Sequence, residues 1–266
     1  MSSQRVVVTI DLGVAHVELA REDKRNGLDL AMFEALIAAG ERLRADGSVR
    51  SVVLSGRGKA FCAGLDWGAF LAMGPDLGKQ LLARGPASPA NVAQRACWIW
   101  QELDVPVIAA VHGSAVGGGL QLALAADLRY LARDAQLSVM EIQYGLVPDM
   151  TATRTLAKLV RLDMARELVF TGRKVSADEA VAIGLATRVV DDPISAALET
   201  ARESAKRSPD AIRAGKRLFR DTEDLDLAAA LLLETELQLG LLGSPNQVEA
   251  VSAVLGKREA IFRDAP

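Results

Sequence analysis

Two carboxylates, Glu141 and Asp149, lie eight residues apart in the stretch EIQYGLVPD, with Gly145 and Pro148 between them. Fully extended, that separation spans ~26 Å at most. The glycine and proline can fold the segment back so that both side chains face one pocket. Met140, Ile142, Leu146 and Val147 are apolar neighbours, and partial burial raises a carboxyl toward neutrality. A carboxyl held there can take a proton from carbon and return it. Each one alone reads more readily as a solvated loop carboxylate than as a catalytic group.

A second pattern gives the pair a partner. In FCAGLD, Phe61 to Asp66, and in IAAVHGSAVGGGLQLAL, Ile108 to Leu124, glycines follow a strand-like run and precede a helical pattern. Glycine lets the backbone turn tightly and lets a ligand approach the main chain. A helix that starts there has unpaired N–H groups. The N–H groups of Leu65 and Gly118, one from each turn, form a candidate oxyanion hole. Losing one such donor typically costs about 2.7–4 kcal/mol of barrier. The combination suits proton transfer beside a thioester or other carbonyl. The hole stabilises an enolate, one carboxylate removes a proton, and the other returns it elsewhere. The triple glycine reads equally as a tight turn with no ligand. A serine-nucleophile reading fails on spacing, because Gly113-Ser114-Ala115-Val116-Gly117 is not G-x-S-x-G and His112 has no evident orienting carboxylate.

The elements that must position these groups form an α/β pattern. Arg5 to Leu12 and Val14 to Ala20 read as a hairpin, and Asp29 caps a helix over Leu30 to Arg44. Ser51 to Ser55 and Val105 to Val111 are buried strands, each leading into one of the glycine turns. Met73 to Pro89, broken by glycines and prolines, reads as an irregular, mobile segment beside a pocket or as a plain surface loop. Asn91 to Leu103 is helical, with Trp98 and Ile99 packed. Asp127 to Ala132 and Gln136 to Met140 are strands, Glu141 to Asp149 a loop, and Thr151 to Phe170 mostly helix. Ser176 to Glu179 reads as a capping box, and Thr187 to Val190 as a last strand. From Ile194 on the pattern is all helix, with Ser208-Pro209 and Ser244-Pro245 as starts. This divides the chain into an α/β body over residues 1–192 and a helical region over 193–266. The helical region packs on the body or on a neighbouring subunit.

Composition narrows the partners. Among 266 residues the net charge is −3 and aromatics are 4%, which argues against nucleic acid as partner. Cys62 and Cys97 form no CxxC motif, which suits a reducing, cytoplasmic setting. No apolar run approaches the roughly 20 residues of a membrane span. The two histidines, His16 and His112, are far apart, so a His-rich metal site is not expected.

Over nearly its whole length the sequence resembles the enoyl-CoA hydratase/isomerase (crotonase) superfamily. The resemblance rests on Lys24-Arg25-Asn26-Gly27-Leu28, FCAGLD, AAVHGSAVGGG, Glu141 to Asp149, and Lys257 to Phe262. It implies a spiral of ββα units with a C-terminal helical region for trimer contacts, and trimers paired into hexamers. It implies a coenzyme A thioester as substrate, with no cofactor besides the CoA the substrate carries. It makes the N–H groups of Leu65 and Gly118 the oxyanion hole. Lys24, Arg25, Leu28, Ala63 and Asp66 fall where the family binds or flanks CoA, and Phe262 where it reaches the CoA of a neighbouring subunit.

The family's catalytic positions bear on the reaction. A hydratase carries two glutamates that hold and deprotonate water; Glu141 matches one, while Gln121 stands where the other belongs. An amide can orient water but cannot accept its proton at neutral pH. Dienoyl-CoA isomerases are similar in having a glutamate and, eight residues on, an aspartate, matched here by Glu141 and Asp149. Those isomerases usually keep a carboxylate at the Gln121 position, where this chain departs. The resemblance therefore favours an isomerase of unsaturated acyl-CoA thioesters. A 2-enoyl-CoA hydratase of fatty acid β-oxidation and a non-catalytic acyl-CoA-binding protein are the alternatives.

Overall fold

The computed structural model describes residues 4–85 and 88–264. The hairpin forms as expected, with β1 (Val6–Asp11) and β2 (Val14–Leu19) joined at Leu12 and Gly13, both at positive φ. Next come α1 (Leu30–Arg44), β3 (Ser51–Gly56), α2 (Trp67–Met73), α3 (Pro75–Leu82) and α4 (Val92–Glu102). The middle of the chain holds β4 (Val107–Val111), β5 (Ser114–Val116), α5 (Gly118–Leu124), β6 (Leu128–Ala132) and β7 (Gln136–Ser138). Then follow α6 (Ala152–Leu159), α7 (Leu162–Thr171), β8 (Val175–Ser176), α8 (Ala177–Ala182) and β9 (Arg188–Val190). The chain closes with α9 (Pro193–Ala205), α10 (Pro209–Asp221), α11 (Leu227–Leu241) and α12 (Pro245–Leu255).

A six-stranded sheet runs β1-β2-β3-β4-β6-β9, antiparallel only at its first pair. Parallel neighbours require crossovers, which the helices provide. Alternate residues of the central strands face two cores. Val52, Leu54, Val107 and Ala109 join the larger one with α1, α4 and α5. Val53, Ile108 and Ala110 meet Ala197, Ala201 and Ala205 of α9 on the other side. Covered on both faces, these strands are apolar throughout, as buried parallel strands must be. At least the first helix of the C-terminal region thus packs on the body.

A second layer gives the glycine turns their place. β5, β7 and β8 form a small sheet, and two isolated parallel bridges, Leu28–Leu65 and Cys62–Ala115, extend its theme. Successive units repeat one path: a strand of the large sheet, a short extended piece in the second layer, then a helix. β2–Leu28–α1, β3–Cys62–α2, β4–β5–α5 and β6–β7–α6 all follow it.

Several details differ from the sequence expectations. The segment from Met73 to Pro89 contains the helix α3, started by Pro75 at its first position, where proline's missing N–H costs nothing; Pro86 and Ala87 lie outside the described residues. Thr151 to Phe170 is two helices, parted where buried Val160 adopts an extended backbone. Glu141 to Asp149 opens as a 3-10 turn, Met140–Tyr144. Ser176 caps α8 through the Glu179 N–H, but the Glu179 carboxylate pairs with Arg173 instead of completing the capping box. Ile99 and Trp100 are core, whereas Trp98 is only half-buried. Among the described residues, no single helix is long and apolar enough to cross a membrane.

Candidate active site

The two glycine turns meet back to back. A Cβ on Gly119 would lie 2.3 Å from the Cys62 carbonyl oxygen, so only glycine lets α5 come this close to FCAGLD. Gly64 has φ +80°, and a Cβ there would lie 2.7 Å from the Val116 carbonyl oxygen. Between these contacts the Leu28–Leu65 bridge forms through Leu28 N–H to Gly64 O, 2.8 Å, and Asp66 N–H to Leu28 O, 3.0 Å. In such a parallel bridge the middle residue's own N–H points the other way. The Leu65 N–H therefore faces away from Leu28. Gly117 donates its N–H to Ser138 O at 2.9 Å, and Gly118 starts α5, which no side chain caps. The first amides of a helix have no carbonyl one turn back.

Polar groups brace this arrangement from behind. Buried Asn26 accepts from the Arg21 N–H at 2.9 Å and donates to the carbonyls of Arg57 and Ala60, each at 2.9 Å. Asp66 accepts from the Ala69 N–H, capping α2, and pairs with Arg21 at 2.8 Å. Arg21 also reaches Asp29, the cap of α1.

Leu65 and Gly118 line one cavity of about 230 Å³, and Glu141 and Asp149 line it too. Its walls are mostly apolar, including Leu28, Phe33, Leu81 and Met150. α3 contributes Gly78, Leu81 and Leu82, so the Met73–Pro89 segment does border the pocket. Trp67 and Tyr144, both in its wall, pack with ring centroids 4.3 Å apart and planes tilted by 32°, and Phe70 meets the Trp67 edge. Sequence reading missed these aromatics and Met150. The available signal was Trp67 directly after FCAGLD and Tyr144 between the carboxylates, in a chain poor in aromatic residues.

The loop folds back as the glycine allows. Gly145 is left-handed, and the Leu146 N–H donates to Glu141 O at 3.1 Å. The Glu141 carboxyl reaches over the second glycine turn, 3.5 Å from where a Cβ on Gly117 would be. Burial raises its pKa, with the like charge of Asp149 adding to the shift and a hydrogen bond from Gln121 opposing it. Burial likewise raises that of Asp149, whose residue stays open to solvent while its carboxyl is partly enclosed. Glu141 Oε1 accepts from Gln121 Nε2 at 2.6 Å, and Oε2 is buried with no hydrogen-bond partner among the described residues. Gln121 stands behind Glu141 and forms no part of the cavity wall.

A family model for enoyl-CoA hydratase/isomerase matches residues 9–265. The chain belongs to the enoyl-CoA hydratase/isomerase family. It is 32% identical over 260 residues to the human mitochondrial Delta(3,5)-Delta(2,4)-dienoyl-CoA isomerase, covering 92% of this chain and 77% of that one. It is 35% identical over 254 residues to a probable enoyl-CoA hydratase of Mycobacterium tuberculosis, covering 95% and 96%. The crystal structure of an enoyl-CoA hydratase from Bacillus anthracis superposes with a TM-score of 0.91 at 30% identity, over 97% of this chain and 99% of that one. The spiral of ββα units expected from the sequence is thus this family's fold.

The positions matched to the family's CoA contacts separate into three groups. Leu28 and Ala63 line the cavity. Lys24 and Arg25 are exposed on the short turn beside it, where the Ala63 N–H bonds to Arg25 O at 2.9 Å. Asp66 is engaged by Arg21 and α2, as above. Phe262 does not line this cavity; its carbonyl accepts from Arg50 Nη2 at 3.1 Å. Of the histidines, His112 Nε2 lies 3.0 Å from Gly58 O, and the Ser–His contact in the sheet is His16 with Ser55, at 2.8 Å and outside the cavity wall.

Proposed function

We propose that this protein is an isomerase of unsaturated acyl-CoA thioesters, with Glu141 and Asp149 as proton carriers and the N–H groups of Leu65 and Gly118 as the oxyanion hole. The observation that carries the reading is that both carboxylates and both oxyanion residues line a single cavity. The name of the human relative, a dienoyl-CoA isomerase, supports it.

The chemistry follows from the arrangement. The thioester oxygen accepts from the two main-chain N–H groups. A carboxylate takes a proton from C2, and the C–H electron pair moves into the conjugated system as enolate charge on that oxygen. Returning a proton at C4 moves a 3-double bond to position 2; returning it at C6 turns a 3,5-diene into a 2,4-diene. One carboxylate can serve the short shift. Two, both lining one cavity, suit the long one. No redox step occurs, so no cofactor is required beyond the CoA of the substrate.

Lys24 and Arg25 are assigned to CoA phosphates at the rim, Leu28 and Ala63 to its thiol-linked arm, and Phe262 to the CoA of a neighbouring subunit. The assembly is assigned as a homotrimer or homohexamer. Leu227, Leu231, Leu232, Leu239 and Leu242 are all exposed in or next to α11, a run that water-exposed monomers rarely keep.

The test is direct. Wild type isomerises 3-enoyl- and 3,5-dienoyl-CoA, and Asp149→Asn loses the dienoyl reaction more than the enoyl one. The reading is abandoned if both isomerisations are unaffected in Asp149→Asn while hydration of 2-enoyl-CoA is fast. Hydration is the second reading, favoured by the hydratase names of the mycobacterial and Bacillus anthracis relatives. It would rest on Glu141 alone as acid/base, since Gln121 accepts no proton. A third outcome, tight acyl-CoA binding without turnover across a substrate panel, would mark a non-catalytic binder.

A further inference from the structure

We propose that Gln121 is the positioning residue of this site, a single side-chain amide that sets both carboxylate-bearing segments at once. Its nitrogen holds Glu141 and its oxygen holds the turn that carries Asp149. The proposal rests on the isomerase reading only for the substrates named below.

Gln121 is 2% exposed, and its two ends are engaged by unlike partners. Nε2 donates to Glu141 Oε1 at 2.6 Å, and Oε1 accepts from the Met150 N–H at 2.8 Å. A backbone N–H can only donate, so Met150 dictates which end of the amide is oxygen. That leaves Nε2 facing Glu141, where it too can only donate. Met150 directly follows Asp149 and directly precedes Thr151, a non-glycine residue held left-handed at φ 78°. Such a turn persists only where its surroundings hold it, and the Gln121 oxygen is one of those holds. Gln121 also lies three residues after Gly118, on the same face of α5. One helix therefore carries an oxyanion donor and the clamp on both bases.

With Oε1 occupied by an N–H, the proton that Glu141 carries resides on Oε2. A glutamate at position 121 could accept from Met150, yet it would have to be protonated to donate to Glu141. The amide does this at every pH. The titratable groups that share the cavity wall with Glu141 are Asp149 and Tyr144 from its own loop; the charge of Glu141 also reaches Cys97 of α4, whose thiol pKa burial pushes well above the ordinary range.

The experiment uses the full chain with Gln121→Met, which removes both hydrogen bonds, and Gln121→Glu, which is isosteric. Melting curves check folding. Two readouts follow: kcat and KM for 3-enoyl- and 3,5-dienoyl-CoA, and the titration of Glu141 followed by NMR with carboxyl-labelled glutamate. A positioning role predicts that Gln121→Met lowers kcat by up to about 100-fold, as a displacement near 1 Å does. KM stays within about threefold, which separates lost positioning from lost uniform binding. The Glu141 titration moves to higher pH in Gln121→Met. Gln121→Glu titrates as a coupled pair in two steps. If the Glu141 titration in both variants matches wild type, the proposal is overturned, whatever the substrate. If wild type isomerises neither substrate, the isomerase reading falls alone, and the titration still decides the role of Gln121. Should Gln121→Met not fold, Gln121→Glu decides: a single wild-type-like Glu141 titration overturns the proposal, and a two-step one supports it.

Discussion

Leu28 and Leu65 pair as one isolated parallel bridge, and that pairing turns the Leu65 N–H away from Leu28. Leu28 sits four residues after Lys24 and just before the α1 cap, Asp29. The charged first loop, the FCAGLD turn and α1 are therefore one mechanical unit. Arg21 ties it together by reaching Asp29 and Asp66. The donor is built from main chain, so its precision depends on the residues around it rather than on its own side chain.

Gly64 tests that dependence. An alanine there would carry φ +80° and press its Cβ to 2.7 Å from Val116 O. Gly64→Ala is expected to destabilise the fold by more than about 1 kcal/mol. If the Leu65 N–H is displaced, kcat falls by about 10²–10³. Thermal unfolding and steady-state kinetics measure the two effects. Full activity in a folded Gly64→Ala protein would remove Leu65 from the oxyanion hole.

Glu141→Gln should lose isomerisation by about 10²–10⁴, the usual contribution of a positioned acid or base. Its stability should move the other way. Folding raises the Glu141 pKa, so its proton is bound more tightly in the folded chain. That contribution is complete below the ordinary glutamate range and is lost as pH rises through the folded value. At neutral pH the ionised side chain is a cost that glutamine does not carry. The variant should melt above wild type, by a larger margin at about pH 7.5 than at about pH 4.5.

Asp149→Asn should move the pH profile as well as the rate. Asp149 adds like charge to Glu141 and raises its pKa. Removing that charge makes Glu141 a stronger acid, so the acid limb of kcat/KM for 3-enoyl-CoA moves to lower pH. An acid limb that stays in place in Asp149→Asn would mean that the two carboxyls do not sense each other.

The parts of this molecule that local chemistry dictates could be read in advance. Asp29 caps α1, and Ser208 and Ser244 start α10 and α12 ahead of proline. The apolar runs of β3 and β4 are buried throughout. What stayed hidden is decided by distant partners. β5 is three residues long and exists because β7 pairs with it. α3 forms in a stretch whose glycines and prolines suggest irregular chain. Gln121 reads in the sequence as an amide able to orient water, and its hold on Glu141 and Met150 is not legible because those partners are 20 and 29 residues away. Glycine punctuation located the site; contacts across the layers define how it is held.

Lys24 and Arg25 are exposed cations beside the cavity, since the Arg25 carbonyl bonds to the Ala63 N–H in the cavity wall. If they meet CoA phosphates, their loss should weaken binding of the full coenzyme and leave chemistry untouched. Solvent screens exposed pairs, so each is expected to contribute about 0.2–1 kcal/mol, or roughly 1.4- to 5-fold in KM. The Lys24→Ala and Arg25→Ala proteins should therefore keep kcat and raise KM for acyl-CoA. A truncated acyl thioester that lacks the nucleotide provides the control, because its KM should be the same in wild type and variants. An equal rise for both substrates would show that the substitutions act by disturbing the Ala63–Leu65 turn. A rise for acyl-CoA alone places the nucleotide end of the substrate against this loop.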